Sequence, residues 1–111
     1  MNTLTIKRGD TWAQRFEWID NGIAIDLTGC VANMQLRAST DSDPVLNLSS
    51  DTGGLTIDEP NGHIYLRVEA SQTAQLFPVT YLADIQVTFP DGTVQSTSNF
   101  YLSVIPDITR E

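Results

Sequence analysis

The chain has 111 residues, 41% hydrophobic and 18% charged, which suits one domain with one core and excludes a disordered composition. Fourteen acids against six bases give a net charge of −8. The bases stand scattered as Lys7, Arg8, Arg15, Arg37, Arg67 and Arg110, which excludes nucleic acid as a partner, because phosphate backbones need clustered lysine and arginine.

Leu4 and Ile6 alternate with threonines and predict a short first strand. Arg8-Gly9-Asp10 then breaks it. The triplet reads as a turn rather than an integrin ligand, since glycine and aspartate are what a turn between two strands needs. Thr11 to Ile19 predicts a second strand, with Trp12, Gln14, Phe16 and Trp18 on one face. Trp18 reads as core. Trp12, near the strand end, reads as core or as a partner contact.

Asp20-Asn21-Gly22 predicts a tight turn, because Asn-Gly tolerates positive φ at both central positions. Ile23 to Ile25 is a short extended piece. Asp26-Leu27-Thr28-Gly29 is a second turn, in which the Asp26 carboxylate accepts from the backbone two residues on. Cys30 to Arg37 is a strand with Cys30, Ala32, Met34 and Leu36 inward. Cys30 is the only cysteine, so no intramolecular disulfide forms, and it reads as a buried, inert thiol.

Residues 38–44 form a polar, turn-rich loop. Asp41 and Asp43 stand two apart there, with Asp51, Asp58 and Glu59 further on, but the spacing does not match a calcium loop, so they read as solvated acids. Val45 to Ser49 and Leu55 to Asp58 predict short strands around the Asp51-Thr52-Gly53-Gly54 turn. After the turn at 59–62, His63 to Val68 alternates, with Ile64, Leu66 and Val68 inward and His63, Tyr65 and Arg67 outward. The period of two fails over 69–77. Ser71 is positioned to cap one helical turn near residues 71–76, and Pro78 ends it. Such a turn suits a crossover from one sheet to another.

Tyr81 to Val104 predicts one long hairpin. Tyr81, Ala83, Ile85, Val87 and Phe89 face inward, Pro90-Asp91-Gly92 turns the chain, and Phe100, Leu102 and Val104 resume the alternation. Each large side chain buried contributes about 1.5–3 kcal/mol gross. A lone hairpin is only marginally stable, so other strands must cover this face. The expected fold is a single all-β domain over 1–111, an immunoglobulin-like antiparallel sandwich of about eight strands.

Chemistry is sparse. His63 is the only histidine and reads as a surface residue without an orienting acid. One histidine and one cysteine do not make a zinc site, no phosphate loop or dinucleotide fingerprint occurs, and no cofactor or metal is expected. No run has the length of a membrane span and the first residues lack a signal-peptide pattern, so a cytoplasmically made protein with no membrane partner is expected. Tyr65 and Tyr101, with Trp12, are the candidate partner contacts. Tyr65 and Tyr101 beside Asn99 would also be the platform of a carbohydrate-binding or adhesion module, the second reading of function.

The run Ile6-Lys7-Arg8-Gly9-Asp10-Thr11 precedes an aromatic strand and then residues 20–29, Asp20-Asn21-Gly22-Ile23-Ala24-Ile25-Asp26-Leu27-Thr28-Gly29. Later come Tyr81-Leu82-Ala83-Asp84-Ile85, the Pro-Asp-Gly hairpin and Val104-Ile105-Pro106-Asp107-Ile108-Thr109. In order and spacing these resemble a group of small phage and prophage proteins, including the N-terminal β-sandwich of baseplate upper proteins and stand-alone tail- or neck-associated proteins. The resemblance implies a virion structural module without catalysis, binding other virion proteins or copies of itself. Baseplate upper proteins continue past the sandwich, whereas this sequence stops at Glu111, so a small accessory subunit is the expectation. Gly9, Asp10, Gly22, Asp26, Thr28 and Gly29, shared with the group, are turn formers.

Overall fold

Two-residue alternation lays out eleven strands in the computed structural model, which describes residues 3–97 and 99–109. Arg110 lies outside them. The strands are β1 (Thr3–Lys7), β2 (Trp12–Glu17), β3 (Ile19–Asp20), β4 (Ile23–Ala24), β5 (Val31–Arg37), β6 (Pro44–Ser49), β7 (Leu55–Asp58), β8 (His63–Val68), β9 (Thr80–Thr88), β10 (Val94–Ser96) and β11 (Phe100–Ile105). One short helix, α1 (Ala70–Thr73), lies between β8 and β9.

One sheet has the order β1-β11-β9-β5-β6, with β10 also on β9; the other has β2-β8-β7. Strands β3 and β4 form a small separate ribbon. The inward set of the long hairpin is buried as its alternation requires: Tyr81, Ala83, Ile85, Val87, Phe100, Leu102 and Val104 all lie in the core. They share it with Ala32, Met34 and Leu36 of β5 and with Leu55, Ile64, Leu66 and Val68 of the second sheet. The hairpin is not regular throughout. Ser96 pairs with Gln86 and Phe100 with Ala83, so the returning strand carries one more residue over that interval than its partner.

Four features differ from the expectation. The count of eleven exceeds eight because β3, β4 and β10 are separate short pieces. The sandwich is not purely antiparallel, because β1 lies parallel along β11 from Thr3↔Tyr101 to Lys7↔Ile105. Alternation specifies a face and carries no direction, so it could not reveal this. The helical turn starts earlier than 71–76, and Ser71 is not its cap. Glu69 is the N-cap residue, and its backbone N–H donates to Gln72 Oε1 at 3.1 Å. Trp12 is 3% exposed.

The Arg8-Gly9-Asp10 turn is tied to α1 and does not project as a free loop. The Gly9 N–H donates to Thr73 Oγ1 at 3.1 Å, Thr73 Oγ1 donates to the Asp10 carbonyl at 2.7 Å, and Arg8 Nε donates to the Ala74 carbonyl at 2.9 Å. Thr73 is the one fully buried polar side chain among the described residues, and these bonds satisfy it.

A second anchor sits where α1 leads into β9. Tyr81 Oη donates to the Phe77 carbonyl four residues upstream, at 3.0 Å, while the ring is buried. A tyrosine bonded back across this corner is a hallmark of immunoglobulin-like sandwiches. Tyr81→Phe is expected to cost about 1–2 kcal/mol in urea denaturation, one neutral hydrogen bond with a carbonyl left behind. Burial pushes the Tyr81 phenol above its ordinary value of 10.0. The folded pKa therefore exceeds the unfolded one. That contribution is complete below the unfolded value and drains away as pH rises through the folded value. The wild-type domain should lose stability in that alkaline window, and the phenylalanine variant should lose less.

Candidate interaction site at the loop end

Three connections meet at the end of the sandwich opposite the Arg8-Gly9-Asp10 turn. They are residues 18–30 between β2 and β5, residues 59–62 between β7 and β8, and the hairpin tip at 89–97. Each is built by local chemistry. Asn21 and Gly22 hold φ values of 52° and 78°, the pair of positive angles that lets β3 and β4 fold back over two residues. Asp26 Oδ1 accepts from the Thr28 N–H at 2.9 Å and from Thr28 Oγ1 at 2.6 Å. Asp91 Oδ1 accepts from the Thr93 N–H at 2.9 Å. These bonds hold both carboxyls below the ordinary aspartate value, and both are fully exposed.

The connections are bonded to one another. The Trp18 N–H donates to the Gly62 carbonyl at 2.6 Å, the Leu27 N–H to the Glu59 carbonyl at 2.9 Å, and Trp18 Nε1 to Gln95 Oε1 at 3.2 Å. Between the first connection and the hairpin tip lies an open hollow of about 540 Å³, lined by Trp18, Ile19, Asp20, Ile25, Gln95 and Thr97 among others. Apolar side chains stand exposed around the same loops: Ile19 at 50%, Ile23 at 72% and Val94 at 51%. Isolated exposed apolar residues are ordinary; three on adjoining loops beside a hollow suit a partner surface.

This end also concentrates negative charge. Glu17, Asp20, Asp26, Asp58, Glu59 and Asp91 lie on or beside the three connections, with Arg15 as the nearby base, bound to Glu17 at 3.0 Å. Lys7, Arg8, Arg37 and Arg67 lie toward the other end. The half-buried Cys30 responds to this field. Burial first, then Asp26, Glu59 and Asp91, push its thiol up from 9.0, so at neutral pH it is protonated and a poor nucleophile.

The residues singled out from the sequence do not assemble into one site. Trp12 faces the core opposite Val68 and is 3% exposed, too little for a partner contact; it is the first residue of β2 and lies on its inward register. Tyr65 is 42% exposed on the outer face of the three-stranded sheet, with its ring edge-on to His63 at 6.1 Å. Tyr101 is half-buried on the outer face of the other sheet, beside Leu82. The two tyrosines therefore lie on opposite sides of the sandwich, and the platform of Tyr65, Tyr101 and Asn99 is not formed. His63 is half-buried rather than a free surface group, and its Nδ1 lies 3.9 Å from Asp58 Oδ2, beyond hydrogen-bond range. Among the described residues no group of three His, Cys, Asp or Glu side chains is arranged to hold a metal, and no helix is long and apolar enough to cross a membrane. The hollow was missed at the sequence level. Its residues belong to two connections, 17–25 and 95–97, far apart in the chain, and no local pattern joins them.

The two sheets, lettered in the usual way, read G-F-C-C′ (β11-β9-β5-β6) against B-E-D (β2-β8-β7). With the tyrosine at the E–F corner, this defines an immunoglobulin-like all-β sandwich, without the inter-sheet disulfide. No family model matches the chain, and no curated protein does. Among solved structures, CopC from Methylosinus trichosporium OB3b aligns over 100% of this chain and 91% of its own length, at 13% identity and a TM-score of 0.55. Murine CRIg aligns over 94% of this chain and 92% of its own, at 16% identity and a TM-score of 0.48. Extracellular domains 3–5 of Drosophila OTK align over 98% of this chain and 34% of their own, at 16% identity and a TM-score of 0.43.

Proposed function

We propose that the protein is a non-catalytic structural or assembly subunit of a phage or prophage virion, an accessory of the tail, baseplate or neck that acts through protein–protein contacts. The virion assignment rests on the sequence resemblance. The contact assignment rests on one observation: at the end of the sandwich where three bonded loops meet, two of them frame an open hollow, with Ile19 on its lining and Ile23 and Val94 exposed on the same two loops. In variable-type sandwiches this is the end whose loops bind. The surrounding carboxylates select a partner with a basic rim and accelerate its encounter, more at low salt than at high.

The test is calorimetry and light scattering of the purified chain with the tail, baseplate and neck proteins of the same virion. One of them should bind, and Ile23→Asp should weaken that complex about tenfold while leaving the circular dichroism unchanged, since Ile23 is 72% exposed. Binding to none of these proteins would remove the reading. Binding unaffected by Ile23→Asp would move the contact away from the loop end.

A further inference from the structure

The six-stranded sheet ends in two edge strands with no further strand of that sheet beyond them among the described residues; on β6 the Ser49 N–H and C=O are taken by Gly53, which leaves the edge from Val45 to Leu48. Strand β1 pairs with β11 alone, and β6 lies at the opposite edge on β5. An edge strand presents a row of unpaired N–H and C=O groups and is a template for another strand. We propose that copies of this chain join edge to edge, β6 of one molecule against β1 of the next, so that the sheet continues from subunit to subunit. The proposal builds on the reading of a protein that acts through protein contacts, but uses a surface apart from the loop end.

Direction, greasiness and charge all fit this pairing. Strand β1 runs parallel to β11, and each of the steps β11 to β9, β9 to β5 and β5 to β6 is antiparallel. Strand β6 therefore runs opposite to β1, and two copies in the same orientation meet as an antiparallel pair. The strands are matched in length, five residues against six. A bulge near Arg37 leaves Leu46–Ser49 regularly paired with β5; Ser49 is taken by Gly53, so Leu46 to Leu48, with Val45 48% exposed beside them, form the open part of the edge. Leu4 and Ile6 of β1 and Leu46 of β6 are only half-buried where the core reaches its two margins, and a neighbouring sheet would cover them.

The charges then choose the arrangement. Exposed Lys7 ends β1, and exposed Asp41 and Asp43 lead into β6. In the antiparallel alignment of β6 with β1 these groups fall at the same end of the sandwich and attract. Pairing β1 with β1 would set Lys7 against Thr3, and pairing β6 with β6 would bring Asp43 toward Asp51; neither brings opposite charges together. The interface is therefore heterologous, using two different edges, and it propagates to a ring if the rotation closes or to a filament if it does not.

Sedimentation of the full chain over a range of concentrations tests this. The wild type should grow past a dimer as concentration rises. Lys7→Glu alone, and Asp41→Lys with Asp43→Lys, should each weaken association about tenfold, because each sets like charges across the junction. Mixing the two variants should restore assembly, since each then supplies the edge that the other lacks; this also shows that both are folded. A wild type that stays monomeric, one that stops at a dimer, or assembly indifferent to both reversals would overturn the proposal. A monomer that still binds a virion protein would overturn it and leave the proposed function standing.

Discussion

Gly62→Ala is expected to destabilise the domain by about 3–5 kcal/mol, the largest loss we expect from any single-methyl change here. Two costs combine. Gly62 has φ +66°, where a residue with a Cβ loses about 1–2 kcal/mol relative to glycine. A Cβ there would also lie 2.7 Å from the Ile25 carbonyl oxygen and 2.9 Å from that of Trp18. Both are backbone atoms, and they cannot yield separately. The Trp18 carbonyl accepts from the Ile25 N–H at 2.9 Å, and the Trp18 N–H is bonded to Gly62 itself. Making room therefore pulls apart the junction that carries the hollow. Gly22→Ala is the comparison: φ is +78°, but nothing lies within 4 Å of the added carbon. It should cost only the conformational part. Urea denaturation of both variants decides, and equal losses would remove the close approach as the cause.

The second large effect is expected from Thr73→Val, at about 2–3 kcal/mol by urea denaturation. Valine keeps the shape and removes the hydroxyl. The Gly9 N–H and the Asp10 carbonyl, 3.1 and 2.7 Å from that oxygen, would both lose their partner. Exposure of Asp10 lets water recover part of the cost, which holds the figure below that of a fully buried pair. Thr73→Ser keeps the oxygen and should be milder. If serine is as damaging as valine, methyl packing rather than the hydroxyl fastens α1 to the Arg8-Gly9-Asp10 turn. The same bond explains why that triplet is poorly placed as a ligand: its glycine and aspartate backbones are fastened to the fold.

The turns and inward faces were readable in the chain because their causes are local. Asn21 and Gly22 take positive φ, Asp26 caps its own turn, and the alternation over Tyr81–Val87 and Phe100–Val104 predicts which side chains are buried. The helical turn was legible as a break in period but not in its cap, because Glu69 and Ser71 both precede plausible first turns and only the backbone angles separate them. Trp12 was legible as inward-facing but not as covered. Its burial depends on what lies over the end of β2, and that is remote in sequence.

By itself, then, the sequence determined an all-β chain, its turns, and the side of each strand that meets the core, since a side-chain period of two and positive φ are properties of neighbouring residues. Only the tertiary structure decided that β1 lies parallel to β11, that Tyr65 and Tyr101 sit on opposite faces, and that two distant connections border a hollow. The physical reason is that strands pair through backbone groups common to every residue. Neighbour and direction are selected by the packing of the whole core, which no local stretch of chain contains.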